Sequence, residues 1–330
     1  MNKNILVTGS TGFVGSHMVD FLLENIRKAK IFCTKRYHLS RLDNVKHFYD
    51  DVEWFDCDIT DPIAVNKMIK KIRPSKIFHF AAESFVSPSW EHPTRYMSVN
   101  YNGTLNILDA IKNFSPLTKI IIPGSGEEYG EVSKNELPIN TNTVLRPVNP
   151  YAVTKIAQDL INYVYFKSYG ANVIRTRTFN HEGPRREKVF GISSYAYQIA
   201  RIEKGLQKPI VKVGTLTDKR NFTHVKDIVK AYWLASEKCK IGKLYLIGNE
   251  KKDSIFTFKE VLEKLIRLST KKKISYKEHK PFVRPTKVPY LIADIGDFKK
   301  ITKWKPVLGI NDILEDTLNY WRNEIDKRLD

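Results

Sequence analysis

The strongest constraint on this chain comes within its first fifteen residues. Asn4-Ile5-Leu6-Val7-Thr8 is a short apolar run that reads as a buried strand. Gly9-Ser10-Thr11-Gly12-Phe13-Val14-Gly15 follows it, and Ser16 to Asn25 reads as a helix with Val14, Met18, Phe21 and Leu22 on one face. Strand, glycine turn and helix together form a cradle for a pyrophosphate. The turn's amides and the helix N-terminus favour the anion, and glycine lets the backbone approach it. The spacing is G-x-x-G-x-x-G. The residues assigned to a dinucleotide here are Thr8, Gly9, Thr11, Gly12, Phe13, Val14 and Gly15.

The pattern continues as alternating strands and helices. Lys30 to Thr34 reads as a second strand, ending in Thr34-Lys35-Arg36 where an NAD site carries an acidic residue. Lys35 and Arg36 in its place predict a 2′-phosphate, and hence NADP in preference to NAD. Val52 to Phe55 reads as a third strand, after which Asp58 and Ile59 are expected to border the adenine and Thr60 or Asp61 to cap a helix. A fourth strand, Lys76 to Ala82, runs into small residues, so Phe80, Ala81 and Ala82 are expected against the cofactor, and His79 is expected in the core. Ser98 to Lys112 reads as a long helix, and Lys119 to Ile122 as a fifth strand. This alternation predicts an α/β fold: a Rossmann-type, doubly wound parallel sheet with a smaller C-terminal α/β lobe. Ligands then bind beyond the carboxyl ends of the strands, where Ser125-Gly126-Glu127 falls.

Further on, Tyr151 and Lys155 lie four residues apart on an expected helix over 151–168 and face the same way. A cation beside a phenol favours the phenolate, which makes tyrosine usable as a base. A sixth strand is expected over 173–178 and another over 244–247, with helices over 225–236, 256–268 and 310–325. The dinucleotide-binding domain is expected over 1–180, with 214–250 partly returning to it, and a substrate lobe mainly over 181–330.

In the 330-residue chain, 55 basic and 36 acidic residues give a net charge of +19. The lysines are scattered and form no basic arm, so anionic small ligands explain the charge better than nucleic acid. No apolar run reaches the ~20 residues that span a bilayer. Met1-Asn2-Lys3 leads straight into the first strand, and Cys33, Cys57 and Cys239 are too far apart for a metal motif or disulfide framework. A cytoplasmic protein without metal is expected.

The combination of T-G-x-x-G-x-x-G, a serine after the fifth strand and Y-x-x-x-K resembles the extended short-chain dehydrogenase/reductase superfamily. Five segments narrow the likeness: Ala81-Ala82-Glu83-Ser84-Phe85-Val86, Ser125-Gly126-Glu127-Glu128-Tyr129-Gly130, Phe179-Asn180-His181-Glu182-Gly183-Pro184-Arg185-Arg186, Arg220-Asn221-Phe222-Thr223, and Arg284-Pro285-Thr286. Together they resemble the GDP-mannose 4,6-dehydratase group and its near relatives, the GDP-4-keto-6-deoxymannose reductases.

The resemblance implies roles. Tyr151 would take the sugar 4-hydroxyl proton, and Lys155 would hold the cofactor ribose. Glu127 would take the C5 proton and help expel the 6-hydroxyl, with Ser125 hydrogen-bonded at O4. Ser84, Asn180, Arg185, Arg220 and Arg284 would bind the nucleotide sugar, with Arg186 adding charge and Arg220 the foremost candidate. A homodimer or homotetramer is implied. His181-Glu182-Gly183-Pro184 mixes dehydratase and reductase patterns, and Lys287 stands where an acidic residue is common, so a GDP-linked amino sugar or heptose is an alternative to mannose. A reductase or epimerase on the same scaffold is the alternative reaction.

Overall fold

A computed structural model describes residues 3–327. The first half of the chain builds β1 (Asn4–Thr8), α1 (Phe13–Asn25), β2 (Lys30–Lys35), β3 (Glu53–Asp56), α2 (Pro62–Ile72), β4 (Lys76–His79), α3 (Pro93–Met97), α4 (Gly103–Phe114), β5 (Lys119–Ser125), α5 (Pro150–Tyr169) and β6 (Asn172–Thr178). These strands join Leu244–Ile247 in one seven-stranded parallel sheet. Its order runs from Leu244–Ile247 through β6, β5, β4, β1 and β2 to β3. The connections leave β1 towards β2 on one side and return to β4 on the other. The crevice at the carboxyl ends of β1 and β4 is therefore the switch point of the sheet.

Alternation along β1 explains why both faces are covered. Ile5 and Val7 pack with Met18, Val19 and Leu22 of α1 and with Ile228 and Tyr232. Leu6 turns the other way, onto Val65 and Ile69 of α2 and Ile107 and Leu108 of α4. A third cluster, with Ile199, Val211, Leu262, Leu265, Leu314 and Leu318, lies in the second half of the chain.

Helix boundaries differ from the sequence reading at both ends of the sheet's coverings. The helix expected over 98–112 extends from Pro93 to Phe114 and carries a π-helical turn at Ser98–Asn102. β4 ends at His79, before the small residues, because Phe80 to Ala82 turn away to line the crevice. Asp61, not Thr60, caps α2, accepting from the Ile63 and Ala64 amides at 2.8 and 3.2 Å. His79 lies in the core between Thr8 and Thr104. Among the described residues no helix is long and apolar enough to cross a membrane.

Candidate active site

A cleft of about 680 Å³ runs from the β1 turn across the sheet edge to the second lobe. At one end, α1 starts at Gly12 with no side-chain cap and no acidic residue in its first turn, so its amides are left for an anion. Gly9 adopts φ +67°, and a Cβ there would meet the Phe80 carbonyl carbon and the Ala81 nitrogen at 2.7 Å. A Cβ on Gly15 would lie 2.2 Å from the Gly9 oxygen. Side chains are thus excluded where a pyrophosphate has to approach, and the cradle fits a dinucleotide. Thr11, Gly12, Phe13, Val14, Asp58, Ile59, Phe80, Ala81 and Ala82 all line this part of the cleft. Thr60 donates both its amide and its hydroxyl to Asp58, at 2.9 and 2.8 Å. Thr8 corrects the sequence reading. Its side chain is fully buried behind the wall, bonded to His79 and accepting from the Ala81 amide, so it shapes the turn without reaching the cleft.

The two basic residues at the end of β2 have different surroundings. Lys35 stands opposite Asp56 in the register of β3 and is ion-paired with it at 3.2 Å. Arg36 lines the cleft, is exposed, and forms no ion pair among the described residues.

At the other end, Ser125, Glu127, Tyr151 and Lys155 line one wall. The Glu127 amide donates to Ser125 Oγ at 3.2 Å. The Glu127 carboxylate accepts from Asn149 Nδ2 at 3.1 Å on one oxygen and pairs with Arg284 at 3.3 Å on the other. Asn149 also caps α5, accepting the Ala152 amide at 2.8 Å, so one residue fixes both Glu127 and the start of the tyrosine's helix. Burial pushes the Tyr151 phenol up; the Ser125 side chain pulls it down and Glu127 raises it further.

Lys155 departs from expectation. It donates to the Pro123 carbonyl and to Gln158 Oε1, both at 2.8 Å. Burial lowers its own pKa to about 8, against the pull of Glu128. Asn100, in the π-helical turn, donates to Thr154 Oγ1 at 2.9 Å, and its carbonyl accepts from Gln158 at 3.1 Å. Asn100, Asn149 and Gln158 were missed in the sequence because each is tied into the site through a residue distant along the chain: Thr154, Glu127 and Asn100 in turn.

The residues expected to grip the nucleotide sugar fall into two groups. Ser84, Asn180 and Arg284 line the cleft. Arg185 lines it too, but its guanidinium is held by Asp20 at 2.6 Å. Arg186 pairs with Glu182 at 3.1 Å and lies against the rings of Phe13 and Phe190. Arg220, the foremost sequence candidate, is 2% exposed and lies behind the lining, held by Asp218 and the Lys219 carbonyl. Its charge reaches the cleft only as a field, in which Glu127 takes part.

A nucleotide-binding sheet edge carrying Ser, Tyr and Lys over a glycine cradle defines a class of nicotinamide-dependent enzyme. The comparisons place the chain within that class. The GDP-mannose 4,6 dehydratase family model matches residues 6–317, and the chain belongs to that family. A GDP-6-deoxy-D-mannose reductase of Pseudomonas aeruginosa is 27% identical over 98% of this chain and 99% of its own length. The solved structure of RMD from Pseudomonas aeruginosa with NADPH matches with a TM-score of 0.84 and 26% identity, covering 98% of this chain and 99% of that one. UDP-glucose 4-epimerase from Thermus thermophilus, solved with NAD, has a TM-score of 0.84 and 26% identity over 97% and 99%.

Proposed function

We propose that the protein is a GDP-sugar 4,6-dehydratase that keeps NADP through the cycle, with GDP-mannose as substrate. The observation that carries this reading is Glu127. Its carboxylate lines the same cleft as Tyr151, on the turn that holds Ser125, so two separate proton-transfer groups face one substrate. Tyr151 takes the proton from the 4-hydroxyl, and Ser125 steadies O4. Glu127 takes the C5 proton and delivers one to the departing 6-hydroxyl, since a carboxylate can accept and donate within one cycle. Lys155 would hold one ribose of the cofactor and Gly12, Phe13 and their neighbours its pyrophosphate, and a nicotinamide bound there would supply the acceptance and return of one hydride. Arg36 reads the 2′-phosphate, and Ser84, Asn180 and Arg284 hold the nucleotide sugar.

A second reading, a GDP-4-keto-6-deoxy-sugar reductase, has one observation in its favour. The Glu127 carboxylate is already engaged by Arg284 and Asn149, as a positioning group would be. The end-to-end likeness to a reductase supports it as well. Mass spectrometry of GDP- and UDP-sugars incubated with the enzyme separates the two. Loss of one water with no added NADPH supports the dehydratase, and NADPH oxidation at a 4-keto sugar supports the reductase.

For assembly we infer a two-fold pairing through α4 and α5. Val153, Leu160, Tyr163 and Val164 expose an apolar stripe along α5. Light scattering at the 38.3 kDa monomer mass alone would contradict it. We place the enzyme in the cytoplasm, where the free, buried Cys33, Cys57 and Cys239 stay reduced.

A further inference from the structure

Directly behind the reacting wall lies a chain of charges that does not touch the cleft. Glu128, Arg177 and Asp159 are 0%, 5% and 4% exposed, and none of them lines the cleft. Glu128 Oε1 accepts the Ser125 amide at 2.7 Å, and its Oε2 accepts from Arg177 Nε at 2.6 Å. Arg177 Nη2 donates to Asp159 Oδ2 at 2.9 Å, and Arg177 Nη1 to Tyr129 Oη at 3.1 Å. Arg175 closes the far end with two bonds to Asp159, at 2.6 and 2.8 Å. The close fit extends to the strand: a Cβ on Gly124 would lie 2.3 Å from Glu128 Oε1.

The connectivity gives this chain its meaning. Glu128 belongs to the turn that carries Ser125 and Glu127. Asp159 sits on α5, one turn beyond Lys155 and two beyond Tyr151. Arg175 and Arg177 lie on β6, between the two. We propose that Glu128, Arg177 and Asp159 form a positioning bracket that sets the Ser125–Glu127 turn against the helix bearing Tyr151 and Lys155. The inference rests on the reading of those four residues as the reacting set.

A buried ion pair is a poor way to gain stability, because desolvation offsets its attraction and apolar replacements often serve as well. It is a good way to fix geometry, because each carboxylate oxygen is claimed by a directed donor. The bracket reaches the reaction through the Ser125 amide. That bond orients the residue whose Oγ accepts the Glu127 amide, which leaves the Ser125 hydroxyl proton available for donation. Releasing it lets the turn relax, and misplacement by about 1 Å costs on the order of 10²-fold in rate.

The test is a double-mutant cycle on the full-length protein, using whichever nucleotide sugar the wild type turns over. Glu128→Gln and Glu128→Leu are each made alone and with Ser125→Ala. Leucine removes both links, and the expected loss in kcat is about 10²-fold; glutamine keeps an acceptor for the Ser125 amide, and about tenfold is expected. KM and the dissociation constant for NADP should stay within about threefold of wild type, as for a group acting only in the transition state. In the Ser125→Ala background, which keeps the backbone amide, both substitutions should cost less than about threefold further, because the hydroxyl whose placement they alter is gone. Equal losses in both backgrounds would overturn the bracket, as would wild-type kcat in Glu128→Leu or a parallel fall in kcat and cofactor affinity. If Glu128→Leu fails to fold, the glutamine cycle decides by the same criterion. Should the substrate be a 4-keto sugar, the dehydratase reading fails, while the cycle, run on that substrate, still tests the bracket.

Discussion

Asn149 donates its side-chain amide to Glu127 at 3.1 Å while its side-chain oxygen accepts the Ala152 amide at the start of α5. The two bonds come from opposite ends of one planar group, so the cap and the carboxylate are held in a fixed relation. Serine at this position keeps the cap but cannot reach as a donor. Asn149→Ser should melt within a few degrees of wild type, since both residues are good caps, yet lose about tenfold or more in kcat. Asn149→Ala loses the cap as well and should be ~1 kcal/mol less stable in urea unfolding. Full activity in Asn149→Ser would show that Glu127 needs no help from this residue.

On the proposed function, Arg36 is expected to carry the cofactor preference. Lys35, its neighbour, is neutralised by Asp56 across the sheet register, which leaves Arg36 as the cation on offer at the end of β2. A charge-assisted hydrogen bond contributes about 1.5–3 kcal/mol, so Arg36→Ala should weaken NADP by roughly tenfold or more and NAD far less. Isothermal titration with both cofactors checks this. Equal losses for the two would move the 2′-phosphate contact elsewhere, with Arg41 next in line in the cleft.

Lys155 is expected to set the alkaline limit of activity. Burial lowers its pKa to about 8, opposed by Glu128, the one charge that raises it. If the ammonium is what holds the ribose, kcat/KM should fall about tenfold per pH unit as pH rises through about 8. The sign for stability is opposite. An unfolded lysine titrates near ~10.4, so between about 8 and that value the unfolded chain binds the extra proton, and this group's contribution makes the fold more stable as pH rises. A loss of kcat/KM above pH ~8 with an unchanged or higher Tm is therefore the expected pair of observations. A flat profile to pH ~10 would mean that the charge of Lys155 does not limit turnover.

The parts of this site that are local in sequence were legible before the structure. The glycine turn follows its strand within a few residues, and the tyrosine and lysine share one helix face, so spacing alone fixes their neighbours. The parts that depend on distant pairing were not. Glu127 meets Arg284 across 157 residues, and Arg185 meets Asp20 across 165. No local pattern says that Arg185 will be neutralised by α1, or that Arg220 will turn behind the cleft lining. Sequence reading treated each arginine near a loop as free to bind phosphate, whereas the packing leaves Arg284 at the substrate end and Arg36 at the cofactor end. Four residues on a helix place Lys155 on the same face as Tyr151, but that spacing does not show that the ammonium also donates to Pro123 and Gln158.

In the proposed reaction Glu127 moves the protons at C5 and C6 while Tyr151 governs C4. Glu127→Gln keeps size and the capacity to hydrogen-bond but cannot accept a proton. In a single turnover of this variant with bound NADP+ and GDP-mannose, reduced nicotinamide absorbance should rise and persist. Formation of the dehydrated sugar, followed by mass spectrometry, should slow by about 10²–10⁴-fold, and Tyr151→Phe should show neither signal. Dehydration by Glu127→Gln at a rate near that of wild type would contradict the account.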